Sequence, residues 1–182
     1  MKKNFIFKSM LMIALISMPF VFASCGGDDD EPEAPDNKAN SAYVDLTVET
    51  TDDLRKIADL DVYFTDMSGN KVDISSEVAS NKQYKDSDKK AVKDINFPLE
   101  LNVVMDITLK SNVADGKYSC GYTITQSAGV MDKNGGVLVS GIAKQSQTWS
   151  PSSPVNENFR AKTVTTKITL KKDASGEIIV EK

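Results

Sequence analysis

The side chains able to do chemistry in this chain are few, and one absence governs them. Cys25 and Cys120 are the only cysteines among 182 residues, and no position is histidine. Without imidazole, Ser–His–Asp and Cys–His nucleophilic machinery is excluded, and the commonest transition-metal ligand is missing. Cys120 shares its parity with Tyr118, Tyr122 and Ile124 in an alternating segment, which predicts a buried packing role for a thiol with no base beside it. Glycoside hydrolysis needs two carboxylates about 5–10 Å apart. Glu100, Asp106 and Asp115 are available, yet Glu100 and Asp106 lie on the polar parity of their segment and no spacing singles out a pair. Gly135-Gly136 lacks a strand-to-helix context and reads as a hairpin turn, not a phosphate cradle. No catalytic residue, metal site or cofactor is therefore expected. Trp149, the single tryptophan, is a candidate ligand contact, because exposed aromatic rings stack on sugars and anchor interfaces; plugging one end of a β-structure is its competing role.

Cys25 belongs to a different chemistry. Lys2, Lys3 and Lys8 precede an apolar run from Met10 to Phe22, broken by Ser17 and Pro19, and Ala23-Ser24 leads into Cys25. That is the layout of a secretory signal peptide over residues 1–24, and the run is short of the roughly 20 apolar residues that span a bilayer. Its removal takes three lysines and no acid, leaving 19 basic and 26 acidic residues and a net charge of −7. Residues 25–40 hold six of those acids (Asp28, Asp29, Asp30, Glu31, Glu33, Asp36) against Lys38, with two prolines and no large apolar side chain. Such a segment cannot bury enough surface to fold and reads as an extended acidic tether. Residues 41–182 carry 18 basic and 20 acidic residues; without a basic patch, nucleic acid is not an expected partner.

Val21-Phe22-Ala23-Ser24-Cys25 resembles a bacterial lipobox, with Phe22 at the place usually held by a bulky aliphatic residue. The resemblance implies cleavage before Cys25, diacylglycerol on its sulfur and acylation of the new amino terminus. Two or more chains anchor stably where one binds marginally. The acidic run that follows resembles the surface-export signal of Bacteroidetes-type lipoproteins. It implies an outer-membrane address facing the cell surface, with a periplasm-facing orientation as the alternative. If Cys25 is lipidated, Cys120 has no disulfide partner, and the domain must be held by its core.

The elements that would position any site are strands. Alternation over 43–49, 60–65, 97–110, 117–126, 137–149 (with a bend at Gly141) and 163–170, with shorter runs at 71–74 and 177–180, gives eight segments. Turn residues separate most of them: Gly69-Asn70, Asn112 to Gly116, Asp132 to Gly136, Ala174 to Gly176. Residues 75–93 are polar and lysine-rich; a helical turn near Ser76–Ala79 is the only element expected there, and the rest reads as loop. The pattern predicts an all-β domain over 41–182, an antiparallel sandwich of immunoglobulin-like or transthyretin-like type, with an eight-stranded lipocalin-like barrel as the alternative.

Three functions are compatible with these residues. The first is a membrane-tethered, non-catalytic binding or accessory module, held by lipid on Cys25 and contacting a glycan or protein near Trp149 or the 80–93 loop. The second is a structural subunit. The layout resembles lipoprotein fimbrillins in outline, which implies cleavage after an arginine and strand addition into the groove so opened; Arg55 would be the processing site and residues 43–50 the removed strand. The third, a hydrolase, has the least support in the sequence.

Overall fold

The computed structural model describes residues 38–149, 155 and 159–182. The signal peptide, Cys25 and most of the tether lie outside the described residues, as does Ser150–Pro154. Nine strands are described: β1 (Ser41–Thr50), β2 (Ala58–Thr65), β3 (Lys71–Asp73), β4 (Gln83–Ala91), β5 (Leu99–Leu109), β6 (Cys120–Met131), β7 (Val137–Trp149), β8 (Lys162–Lys172) and β9 (Ile178–Glu181). They form two antiparallel sheets, ordered β4-β1-β6-β7 and β3-β2-β5-β8-β9. The sheets do not close on one another, so the domain is a sandwich and the barrel alternative is set aside. β1 and β2 lie in opposite sheets, whereas the immunoglobulin order makes the first two strands neighbours. No helix among the described residues is long and apolar enough to cross a membrane.

Period-two alternation builds the core as expected. Leu99, Leu101, Val103, Met105 and Ile107 all turn inward from β5. They meet Ala42, Val44, Leu46 and Val48 of β1 and Ile124, Ala128 and Val130 of β6 across the sandwich. β7 runs without a break through Gly141, which pairs with Ala128; the irregularity of this ladder is at Val130/Met131 instead. Gly141 meets a different need: a Cβ there would lie 2.7 Å from Cγ1 of Val180, so its absence lets β9 close over β7.

The segment 80–93 differs from the expected loop. Gln83–Ala91 is a full strand, paired with β1 from Ser41↔Ala91 to Glu49↔Gln83. Two short helices were also not fully foreseen. α1 (Asp52–Ile57) is capped by Thr51, whose hydroxyl accepts from the Leu54 amide. α2 (Ser75–Ser80) fits the helical turn expected near Ser76. The Ser75 hydroxyl accepts from the Val62 amide at 2.8 Å, fastening α2 to β2.

The sandwich has two distinct ends. At the near end, Lys38–Asn40 lead into β1, and the three hairpins β2–β3, β6–β7 and β8–β9 turn. Their packing is shared: Ala42, Met67, Leu99, Val130 and Leu170 form one buried cluster. The far end holds α1, the start of β6, and Trp149 with Phe159, packed on a second cluster.

The three hairpins use one device. In each, an Asp carboxylate accepts from two amides further along the turn: Asp66 from Ser68 and Asn70, Asp132 from Asn134 and Gly136, Asp173 from Ser175 and Glu177. A glycine three residues after each Asp takes a positive φ, at 83°, 86° and 88° for Gly69, Gly135 and Gly176. This is the three-residue hairpin loop in which a type I turn ends on a left-handed residue. Nothing lies within 4 Å of a Cβ built on any of these glycines, so an alanine there is opposed by backbone conformation alone. Gly176→Ala is expected to cost about 1–2 kcal/mol in urea unfolding; an unchanged midpoint would contradict this account of the turn.

Two of them, Asp66 and Asp173, also make stability pH-dependent. Burial pushes Asp66 upward, but hydrogen bonds from Asn70 and Ser68 and the charge of Lys90 outweigh it and hold Asp66 below the usual carboxylate value. Ser175 holds Asp173 down in the same way, against a smaller opposing effect of burial. A carboxylate with a lowered folded pKa stabilises fully above its unfolded value of about 3.9 and loses that stabilisation as pH falls through the folded value. Unfolding at pH 6 and at pH 2.5 is therefore expected to differ less in the Asp66→Asn/Asp173→Asn double variant than in the parent. Equal losses in both proteins would overturn the assignment.

Candidate functional site

The residues singled out by their chemistry are not brought together. Glu100 and Asp106 point outward from β5 six residues apart, which along a strand is about 20 Å, beyond the separation a glycosidase pair needs. Each has a local partner: Glu100 pairs with Lys167 Nζ at 2.6 Å, and Asp106 accepts from the Thr163 hydroxyl opposite it. Asp115 accepts from the Gly116 amide in the loop after β5. Cys120 opens β6 with 5% of its surface exposed, and burial together with nearby Asp53 pushes its thiol up to about 11. It stays protonated at neutral pH, so the packing role fits this environment. No group of three or more metal-ligating acidic or thiol side chains occurs among the described residues.

Trp149 closes the far end. Its ring lies 5.9 Å from Tyr122 and 6.4 Å from Phe159, centroid to centroid, and packs on the buried cluster beneath. That geometry belongs to a half-buried plug. Trp149→Ala is expected to cost about 2–4 kcal/mol of stability, toward the lower part of the range for large aromatic truncations because the ring is only partly covered. Chemical denaturation checks it, and a loss below about 0.5 kcal/mol, the scale of an ordinary surface change, would mean the ring is a free surface group.

Arg55 lies in α1, its side chain 12% exposed and paired with Asp52. Its carbonyl accepts from Lys110 Nζ at 2.9 Å. The bond after Arg55 is thus inside a short helix, and a protease would need α1 to open first. β1, which precedes it, lies between β4 and β6.

The concave feature that the residue types did not announce is at the near end. A groove of about 580 Å³ runs between the hairpin ends of the two sheets. Val92, Val130, Leu138, Val139, Ile178 and Ile179 supply an aliphatic lining, and Lys38, Lys172 and Glu177 supply charge. Its size is that of a ligand site, although its lining is polar and apolar in nearly equal measure. Only Val92 comes from the 80–93 segment, and Trp149 is not part of the lining. The groove leaves no signature in the sequence because its residues come from six separate segments, and Lys38, Val92 and Glu177 lie outside the strands. At the far end a shallow depression of about 210 Å³ is lined by Glu49, Thr51, Thr123 and Thr148, among others, below the usual volume of a ligand pocket.

Comparison with known proteins finds no matching family model, no matching curated protein and no matching solved structure.

Proposed function

We propose that the chain is a lipid-anchored, non-catalytic binding or accessory module of the outer membrane, facing the cell surface. Lipid on Cys25 holds the protein to the bilayer, the acidic tether spaces the domain from it, and the sandwich presents the near-end groove to a partner. The groove is the observation that carries the binding role. Its lining offers no aromatic ring for sugar stacking, which favours an extended protein segment over a glycan. Lys38 and Lys172 suit a segment bearing an acidic side chain.

A photo-crosslinking residue placed at Ile179 in the full chain tests this in intact cells. Discrete protein adducts are expected from Ile179, suppressed by Lys172→Glu, and none from the same residue placed at Trp149. Adducts from Trp149 alone, or glycan binding abolished by Trp149→Phe, would move the binding site to the far end and overturn the groove.

The fimbrillin-like alternative retains one supporting observation. Because β1 is paired on both sides, its loss would leave a slot between β4 and β6 that a donor strand could fill. The position of Arg55 inside α1 counts against it. A native protein whose amino terminus is Lys56 would establish that reading in place of the first.

A further inference from the structure

The hairpins β2–β3, β6–β7 and β8–β9 share one turn, yet only one of their ladders is irregular. Pairing runs without a shift from Tyr63↔Asp73 to Thr65↔Lys71, and from Thr169↔Glu181 to Lys172↔Ile178. In β6–β7, Val130 pairs with Val139, but the next residue, Met131, pairs with Val137. Leu138 is left over. It is a β-bulge, one extra residue on β7 that no residue of β6 opposes. The turn does not require it, since the same turn closes the other two hairpins without one.

The bulge decides where one side chain goes. Opposed residues of a ladder share a face. Val139 therefore lies on the inner face with buried Val130, and Val137 on the outer face with Met131. Strict alternation from Val139 would send Leu138 outward. Instead Leu138 and Val139 both line the near-end groove, together with Ile178 and Ile179. Val139 and Ile178 also pack on the buried cluster beneath, whereas Leu138 keeps 40% of its surface exposed. A bulge beside a site commonly re-aims a side chain in this way.

We propose that the bulge is a binding device. It turns Leu138 into the groove as the contact for an aliphatic side chain of the bound protein segment, and Lys172 takes a carboxylate close by on the same segment. This rests on the groove being the binding site. Seating one aliphatic side chain on another removes apolar surface of both from water. Among the charged lining residues, Lys38 and Lys172 stand against Glu177, an excess of positive charge that complements an acidic side chain.

Deleting Leu138 tests this, because it removes the bulge and keeps the pairs on either side: Val139 stays opposite Val130, and Val137 opposite Met131. Leu138→Ser keeps the bulge and removes only the aliphatic contact. With the photo-crosslinking residue at Ile179 of the full chain in intact cells, each change is expected to lower adduct yield at least tenfold. Leu138→Met should keep most of the yield. The melting temperature of Leu138→Ser should match the parent, since the side chain is outside the buried core, so its loss of adducts is not a loss of fold. Mass spectrometry of the parent adduct should place the crosslink on a segment that combines an aliphatic residue with Asp or Glu. Undiminished adducts from Leu138→Ser, or a crosslinked segment lacking either residue type, would overturn the role of Leu138 and leave the groove standing. No adducts from Ile179 in the parent would remove the groove itself, and this proposal with it.

Discussion

Cys25→Ala is expected to abolish incorporation of a fatty-acid label and to remove the protein from the outer-membrane fraction. The reasoning is chemical. Thioether lipidation requires the Cys25 sulfur, and alanine offers no acceptor. Each buried methylene contributes about 0.8 kcal/mol to membrane binding, so two or three acyl chains anchor stably. No helix among the described residues is long and apolar enough to span a bilayer. The unlipidated protein then has two fates. Cleavage elsewhere releases a soluble chain, or the Met10–Phe22 run stays uncut and holds the precursor in the inner membrane. Both differ from the parent in fractionation and in mass. Unchanged outer-membrane recovery of an unlabelled Cys25→Ala chain would mean that something other than lipid holds it.

Leu101→Ala carries the largest expected loss of stability. Leu101 is fully buried on β5, the middle strand of its sheet, and pairs with Ile168, which is equally buried. It belongs to the near-end cluster with Ala42, Leu99 and Leu170. Truncation removes the transfer free energy of the lost methyl groups and leaves a void lined by neighbours from both sheets, at a cost of about 3–5 kcal/mol. Domains of this size have about 5–15 kcal/mol in all. Cys120 is a free thiol, so no disulfide from it offsets the loss. A melting temperature lower by about 10–20 °C is expected, while Leu101→Met, which nearly conserves volume, should cost less than about 1.5 kcal/mol. A loss below about 1 kcal/mol for Leu101→Ala would mean that the two sheets do not pack across this position.

How much of this was legible depended on which physical signal each element carries. β5 alternates Leu99, Leu101, Val103, Met105 and Ile107 against polar neighbours, and a strand with one buried face cannot hide that pattern. β4 reads as loop because Tyr84 is its one large apolar side chain and no alternating apolar face marks it. Its residues are exposed or half-buried throughout, and it is held by backbone pairing to β1, which leaves no trace in hydrophobicity. α1 escaped because six residues are too few to show a helical period; its signal was the Thr51 cap and the acidic pair Asp52-Asp53. The turns were each visible as Gly, Asn and Asp, but the shared Asp and the glycine three places on became apparent only once the amides they accept from were located.

The candidate site was less legible than the fold. Trp149 stands out as the single tryptophan and Arg55 through the fimbrillin resemblance, and both are packed: one against Tyr122 and Phe159, the other inside α1. The groove is made of common aliphatic residues, and its shape comes from where β6, β7 and β9 end relative to one another. Strand ends in space are set by sheet-to-sheet packing, which single-sequence periodicity does not encode.

The intact mass of the protein extracted from native membranes tests the central claim most directly. A lipid-anchored module should begin at Cys25 and carry the added mass of a diacylglycerol thioether and an amide-linked acyl chain. A mass beginning at Met1, an unmodified Cys25, or a chain starting at Lys56 would contradict it.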